Sequence, residues 1–302
     1  MKSSIPFVLL FFMNTFAVLT YGQPKLAIQI LKQQIIEELA KQKGTFAVAF
    51  EDISANNRIL INDQEIFHAA STMKTPVMIE VFKQVAEGKF YLNDSMLIKN
   101  EFKSIVDSSS YSLDSADDSE TEIYRHIGEK RTLYQLMYDM IIASSNLSTN
   151  LIIEKVGAKN VTNTMRDLGA KKIEILRGVE DNKAFDKGMN NTTTAFDLMV
   201  IFEKIAKGKA VSRKASGSMI KILLDQIHNE VMPANLPKEV KVAHKTGSLT
   251  GVHHDSGIVF LPDGRKYVLV LLSKNLEDES AAVKAMAHVS EMIYEWYYLC
   301  ER

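Results

Sequence analysis

The stretch Ser71-Thr72-Met73-Lys74 opens an apolar run that continues to Glu87-Gly88. Nearly every side of this run is apolar, which is typical of a helix buried in a core. Pro76 lies near its start, where the first helical turn tolerates a residue without an N–H. A serine three residues before a lysine lies on the same helix face. Away from water, the amine is pushed toward its neutral form and can take the serine proton.

The Ser-x-x-Lys spacing is weak evidence by itself. Residue frequencies predict about one such match in a chain of this size, and Ser218-Met219-Ile220-Lys221 is a second copy without an evident role. Serine also favours the position before a helix, so Ser71 could be only a helix cap. The rest of the chain has to decide between these two interpretations.

The composition is that of an ordinary globular protein. The chain has 302 residues, of which 46% are hydrophobic and 24% charged, enough for a large core. The length suggests one large domain or two interleaved domains. A formal net charge of -1 gives no reason to expect nucleic acid or an anionic membrane surface as a partner. The single cysteine, Cys300, excludes an internal disulfide.

Residues 1–22 have the pattern of a secretory signal peptide. Lys2 supplies the positive charge, two apolar stretches follow, and Thr20-Tyr21-Gly22 provides small residues before a cleavage site. The alternative is an uncleaved membrane anchor, but polar residues interrupt the apolar region and no positive flank follows. No other segment is long and apolar enough to span a bilayer. We therefore expect a soluble, exported chain that begins at Gln23 and is periplasmic or secreted.

Strand signals occur near both ends of the chain. Thr45 to Phe50 and Arg58 to Ile61 flank a polar turn and predict a hairpin. Short strands are predicted in the last quarter, followed by a helix. The inward residues of this helix are expected to be Ala281, Val283, Met286, Val289, Met292, Ile293 and Trp296. The predicted segments are Val240 to Ala243, Gly257 to Phe260 and Tyr267 to Leu272 for the strands, and Ser280 to Leu299 for the helix.

These signals predict a mixed α/β fold in which both termini complete an antiparallel sheet flanked by terminal helices. The expected sheet domain comprises residues 23–70 and 236–302. The expected helical domain, residues 71–235, is inserted into it and carries Ser71.

The middle of the chain is mostly helical, with two long loops. Residues 107–122 are rich in serine and acidic residues, and either disorder or a packed surface loop fits them. Between Leu176 and Asn191 the periodicity breaks into a loop of about fifteen residues, which is long for a compact domain and therefore a candidate functional segment. The predicted helices are Leu133 to Ala143, Leu147 to Val156, Thr194 to Ala206 and Gly217 to Ile227.

Two further motifs raise Ser71 above chance. Ser144-Ser145-Asn146 falls at a junction of two predicted helices, and Lys245-Thr246-Gly247 ends a predicted strand, with Ser248 after it. Each alone could be a capping turn or a strand end. Together, in this order, they form the signature of class A β-lactamases and penicillin-binding proteins. The chain resembles these penicillin-recognising serine hydrolases over essentially its whole mature length. The resemblance is specific because residues 67–74, 144–150, 192–194 and 245–248 match in sequence and order.

The resemblance implies an acyl-enzyme mechanism. Ser71 is expected to attack a lactam or acyl carbonyl, and Lys74 to accept or relay its proton. Ser144 is expected to pass a proton to the leaving nitrogen, while Asn146 orients Lys74 and the substrate amide.

The strand motif is expected to bind the substrate. Lys245 favours anionic charge near Ser144 and the substrate carboxylate, and Thr246 and Gly247 line the same strand. The backbone N–H groups of Ser71 and Ser248 are expected to form an oxyanion hole, worth about 3 kcal/mol per donor.

The chain departs from the family pattern in its hydrolytic loop. A lactamase needs a glutamate and an asparagine there, in the order Arg-x-Glu-x-x-x-Asn, to hold the water that hydrolyses the acyl-enzyme. After Arg177, Glu180 is the natural candidate but comes one residue late, and Asn182 follows it too closely. The family aspartate at the loop neck is Asn191 here, so an ion pair from Arg177 is missing unless Asp186 replaces it.

Two other departures concern the motifs. Ser145 stands where the family usually has aspartate, although the two flanking residues are kept. His253 and His254 stand where many members offer an arginine for the substrate carboxylate. A zinc site at residues 253–255 is disfavoured because adjacent residues on a strand point to opposite faces.

The first hypothesis is therefore an exported class A-type serine β-lactamase, without cofactor or metal, that acts as a monomer on a small-molecule β-lactam. A second is a peptidase or esterase acting on cell-wall peptides or small esters. A third is a binding or sensing domain that acylates, or only holds, its ligand without turnover. Glu180 separates the three, because only the first needs it beside the hydrolytic water.

Overall fold

The computed structural model describes residues 23–55 and 57–300. The predicted signal peptide lies outside the described residues. Within them, no helix combines the length and apolarity that a membrane crossing requires.

The fold is built on a five-stranded antiparallel sheet that takes strands from both ends of the chain. Its order is β2-β1-β11-β10-β9. The predicted hairpin is confirmed, because Val48 pairs with Ile61 and Phe50 with Ile59. The sheet strands are β1 (Thr45–Asp52), β2 (Arg58–Ile61), β9 (Lys241–Leu249), β10 (Val252–Phe260) and β11 (Lys266–Lys274).

The C-terminal strands are longer than the sequence predicts. Apolar alternation identified only the outer parts of β9 and β10, whereas each has nine residues. Lys245 and Thr246 therefore lie inside β9, which continues beyond the motif to Leu249. Their polar side chains are buried against helices, so the polarity pattern that marks a strand is lost there.

Both faces of the sheet are covered, which explains the continuous apolar sequence of β11. Val268, Val270 and Leu272 belong to the core under the helical region. The alternating residues, Tyr267 among them, belong to a second core under the two terminal helices. These helices are α1 (Gln23–Leu39) and α9 (Glu279–Cys300).

The inward face of α9 agrees with the prediction in part. Met286, Val289 and Ile293 are buried as predicted, whereas Ala281 and Trp296 are only partly buried. Further buried residues of this helix are Ala282, Ala285 and Tyr297, because the helix packs against both the sheet and α1.

The remaining helices lie between β2 and β9 in the amino-acid sequence. One correction concerns α8, which begins and ends several residues before the predicted span. They are α2 (Lys74–Ala86), α3 (Leu133–Ile142), α4 (Asn146–Val156), α5 (Ala158–Leu168), α6 (Asn182–Asp186), α7 (Ala195–Ala206) and α8 (Arg213–Leu224).

Three short strand pairs tie the loops to this framework. The pair β3 (Phe67–His68) with β8 (Thr192–Thr193) joins the chain before Ser71 to the end of the second long loop. That loop is not wholly irregular, because α6 lies within it. The other pairs are β4 (Ser95–Leu97) with β7 (Lys130–Thr132), and β5 (Phe102–Lys103) with β6 (Ser110–Tyr111).

Candidate active site

Ser71 lies in a 3₁₀ turn, Ala70–Met73, that leads directly into α2. The residue capping this turn, Ala69, makes no side-chain bond, so Ser71 is not a helix cap. Because the first N–H groups of a helix have no partner within it, the N–H of Ser71 is free for another acceptor. The backbone of Gly247 lies against it, and a Cβ there would meet Ser71 N at 3.0 Å.

Lys74 is fully buried and has three acceptors around its amine. Lys74 Nζ lies 2.6 Å from Ser144 O, 3.1 Å from Ser144 Oγ and 2.9 Å from Asn146 Oδ1. Burial, and then repulsion from Lys245, hold the pKa of Lys74 well below its ordinary value. Lys74 can therefore exist as a neutral amine beside the Ser144 hydroxyl.

Ser144 lies between two lysines. Lys245 Nζ donates to Ser144 Oγ over 3.0 Å, opposite the contact with Lys74. Burial lowers the pKa of Lys245 to about 7, although the nearby Asp255 carboxylate opposes this shift. One hydroxyl thus connects two amines with depressed pKa values, an arrangement through which a proton can pass.

Asn146 connects Lys74 to Glu180. Its Nδ2 donates to Glu180 Oε1 over 2.8 Å, while its Oδ1 accepts from Lys74. Burial raises the pKa of Glu180, and the bond from Asn146 lowers it. A carboxylate with a raised pKa, held by an amide in a cavity, can act as a general base.

The loop that carries Glu180 is clamped by Asn150. Val179 N donates to Asn150 Oδ1 over 2.6 Å, and Asn150 Nδ2 donates to Val179 O over 3.0 Å. Gly178 is needed beside this clamp, because a Cβ there would lie 2.2 Å from Asn150 Oδ1. Glu180 follows with φ 60°, and this left-handed turn brings the carboxylate to Asn146 despite the extra residue after Arg177.

The neck of the loop is held by amides. Asn191 Oδ1 accepts from the N–H groups of Leu176 and Arg177, and its Nδ2 donates to Arg177 O. The Arg177 guanidinium donates to two carbonyls and to Asn190 Oδ1. The open alternative of an Arg177–Asp186 ion pair is therefore wrong, since these uncharged acceptors occupy the guanidinium.

Three of the six non-glycine residues that have a positive φ in the described part of the chain lie at this site. Ala70, Ser144 and Glu180 have φ between 44° and 60° and all line one cavity. Non-glycine residues in this region are rare and persist only where the surroundings hold them. For Ala70 one such contact comes from His68 Nδ1, which accepts from Ala70 N over 3.0 Å.

The cavity has a volume of about 410 Å³. It is lined by Ser71, Ser144, Asn146 and Glu180, and by residues 246–249 of β9. Gly247 packs directly against the backbone of Ser71, its neighbours Thr246 and Ser248 line the same cavity, and Asn182 also lines it.

The two histidines of β10 have separate environments. His253 Nε2 lies 3.1 Å from a carboxylate oxygen of Glu279. His254 Nε2 lies 2.9 Å from His68 O, and burial lowers the pKa of His254 to about 4. The two side chains therefore do not converge on one ligand.

Sequence reasoning missed two groups of site residues. Asn150 fell within a matching stretch but received no role, and Asp118 lay in the loop considered for disorder. Asp118 is buried and contacts the start of α4, so that loop is packed. The other group is His244 with Asp255, whose side chains lie 2.8 Å apart next to Lys245. No spacing signal links these positions.

Comparisons with known proteins agree with this geometry. The model of the beta-lactamase enzyme family matches residues 30–297. The extended-spectrum beta-lactamase PER-1 of Pseudomonas aeruginosa is 24% identical over 277 residues, covering 88% of this chain and 87% of that protein. A beta-lactamase of Citrobacter koseri is 26% identical over 243 residues, covering 79% and 78%.

Solved structures share the fold. A structure of PBP-A has a TM-score of 0.77 and 25% identity, covering 90% of this chain and 97% of that one. A beta lactamase from Xanthomonas campestris has a TM-score of 0.79 and 20% identity, covering 90% and 98%.

Proposed function

The chain belongs to the beta-lactamase enzyme family, and we propose that it hydrolyses β-lactams through an acyl-enzyme on Ser71. The class of enzyme, a serine β-lactamase, follows from the family and its relatives. The proposed residue roles rest on one observation, a continuous network of side-chain hydrogen bonds beside Ser71. It runs from Lys245 through Ser144 and Lys74 to Asn146 and Glu180.

In the first step, Ser71 Oγ bonds to the lactam carbonyl carbon while the neutral Lys74 amine takes the hydroxyl proton. The developing oxyanion accepts bonds from the N–H groups of Ser71 and Ser248. The lactam C–N bond then breaks, and its nitrogen takes the proton of Ser144. Lys74 returns a proton to Ser144 Oγ, to which it is already hydrogen-bonded.

In the second step, a water attacks the ester carbonyl and Glu180 takes its proton. Asn146 holds the Glu180 carboxylate in place for this role. The ester C–O bond breaks, and the proton that Glu180 took is returned to Ser71 Oγ, which regenerates both groups. The raised pKa of Glu180 strengthens it as a base at neutral pH.

Substrate binding is assigned to β9. Thr246 and Ser248 offer hydroxyl groups to the carboxylate that most β-lactams carry, and Lys245 offers a positive charge. Gly247 has no side chain, so the acyl carbonyl can approach Ser71.

Steady-state hydrolysis of a chromogenic cephalosporin by residues 23–302 tests this proposal. We expect turnover. Intact mass should detect a transient adduct, and digestion should place it on a peptide containing Ser71. An adduct on another residue, or hydrolysis that persists in Ser71→Ala, would exclude this mechanism.

A second candidate is a peptidase on the same scaffold. It is favoured by the likeness to PBP-A, of which a mutant was solved as an acyl-enzyme complex with penicillin G, and by the irregular spacing around Glu180. Release of D-alanine from a D-Ala-D-Ala peptide faster than lactam hydrolysis would favour this candidate. A stable adduct without turnover on either substrate would indicate a sensing domain.

We also infer that the mature enzyme is exported and monomeric, and that residues 23–70 with 236–302 form a domain distinct from residues 71–235. The supporting observations are the signal pattern in residues 1–22 and the origin of the sheet in both chain ends. Mass spectrometry of the exported protein and light scattering test the first two inferences.

A further inference from the structure

The start of α4 is held in two ways. Ser145 caps it conventionally, because its Oγ accepts from Ser148 N over 3.2 Å. This bond leaves the N–H groups of Asn146 and Leu147 without a partner within the helix. Both donate instead to Asp118, Asn146 N at 2.9 Å from each carboxylate oxygen and Leu147 N at 2.9 Å from Oδ2.

Asp118 is delivered by a different segment, the loop of residues 107–122. It is only 6% exposed, and its other donors are Tyr124 OH at 2.9 Å and Glu120 N at 3.1 Å. All four donors are uncharged, so the carboxylate is stabilised by the helix N-terminus and by hydrogen bonds. Its neighbours Asp117 and Ser119 line the cavity.

We propose that Asp118 is a positioning residue of the reaction, which fixes Asn146 and supplies the negative charge that faces Lys74 from this loop. The proposal rests on the proposed function, because Asn146 and Lys74 act in it. Ser145 stands where the family usually has an aspartate. In this chain the carboxylate at the start of α4 comes instead from Asp118, on a loop distant in sequence.

Geometry connects Asp118 to both steps. The Asn146 backbone is fixed by Asp118, and its side chain joins Lys74 to Glu180. The charges that act on Lys74 come from three elements: Lys245 on β9, Glu180 on the loop after Arg177, and Asp118. Lys245 lowers the pKa of Lys74, whereas Asp118 and Glu180 raise it against the larger effect of burial.

The test is Asp118→Asn, which keeps the size and removes the charge. Without this charge the pKa of Lys74 falls further, so the neutral amine persists at lower pH. We expect the acid limb of the acylation rate to move to lower pH by on the order of half to one unit. The exposed Asp107 of the same loop provides the control, and Asp107→Asn should leave the limb in place.

Direct titration of Lys74 makes the test independent of turnover. In protein labelled with [ε-¹³C]lysine, the Lys74 resonance, assigned by its loss in Lys74→Arg, should titrate at lower pH in Asp118→Asn. An unchanged titration with a uniform loss of rate would reduce Asp118 to a structural cap and overturn the proposal. If Lys74 titrates as expected in wild type and in Asp118→Asn but the wild type forms no adduct, the proposed function fails, whereas the effect of the Asp118 charge on Lys74 stands.

A rescue variant covers poor folding of Asp118→Asn. The double variant Asp118→Asn, Ser145→Asp returns a carboxylate to the start of α4. We expect it to fold and to recover the wild-type acid limb. A folded double variant whose limb differs from that of the wild type would contradict the proposal.

Discussion

The two sides of the cavity are built differently. The lysine side, defined as Ser71, Lys74, Ser144 and Lys245, lies on or beside regular elements, namely α2, the turn before α4, and β9. The loop side, residues 177–191, holds Glu180 through side-chain amides. Each motif on the lysine side therefore has a short, fixed spacing between its residues, whereas the loop side tolerates an irregular spacing around Glu180.

In the proposed mechanism the two sides of the cavity carry out different steps. If the lysine side forms the acyl-enzyme and the loop side hydrolyses it, damage to each side should affect a different step. Variants on the lysine side should stop labelling, and variants on the loop side should prolong the life of the adduct.

The largest effect is expected for Ser71→Ala. Without the nucleophile, covalent labelling by a fluorescent penicillin should disappear and kcat/KM should fall by about 10⁴-fold or more. The fold should persist, because the Ser71 side chain is only partly buried and caps no helix. Circular dichroism checks the fold. Labelling at the wild-type level would remove Ser71 from the mechanism.

The second effect breaks the loop side alone. Glu180→Gln keeps a partner for Asn146 but removes the base, so acylation should continue while deacylation slows by about 10²–10⁴-fold. Intact mass after mixing with a penicillin should show an adduct that persists. Equal adduct lifetimes in wild type and variant would favour the peptidase or sensor hypothesis.

The lysine side could be predicted from the sequence, whereas the loop side could not. The sheet, its order of assembly from both chain ends and the three motifs were predictable, because each depends on local periodicity or fixed spacing. The position of Glu180 was not, since it depends on the left-handed turn at Glu180 and on Asn150, which lies about thirty residues earlier in the chain. Asp118 was missed for a similar reason. A buried carboxylate in a polar loop has no sequence pattern that distinguishes it from solvated neighbours.

The third prediction tests whether the amide clamp supports the loop side. Asn150→Ala leaves Val179 N without its partner, and Val179 O keeps only the long bond from Tyr111 OH at 3.4 Å, so the loop should loosen. A misplacement of Glu180 by about 1 Å would slow deacylation by about 10²-fold, while acylation stays near the wild-type rate. Asn160→Ala is the matched control, because Asn160 also bonds a backbone carbonyl but lies on α5. Equal deacylation rates in both variants would show that Val179 needs no clamp.

The smallest effect concerns pH and Lys245. Its pKa is lowered to about 7 by burial, so the free enzyme carries this charge below about pH 7 and loses it above. A substrate carboxylate then loses a charge-assisted hydrogen bond. Such bonds are worth at least about 1.5 kcal/mol, so kcat/KM for a carboxylate-bearing lactam should fall by about tenfold or more across this range.

A neutral ester of the same lactam provides the reference for this measurement. Lys74 and Glu180 act on both substrates, so the ratio of the two kcat/KM values cancels their titration and isolates Lys245. We expect the ratio to decline as pH rises through about 7, and to be lower and independent of pH in Lys245→Ala. A wild-type ratio that stays constant with pH would mean that Lys245 acts only on Ser144, and that the carboxylate is bound by the hydroxyl groups of β9.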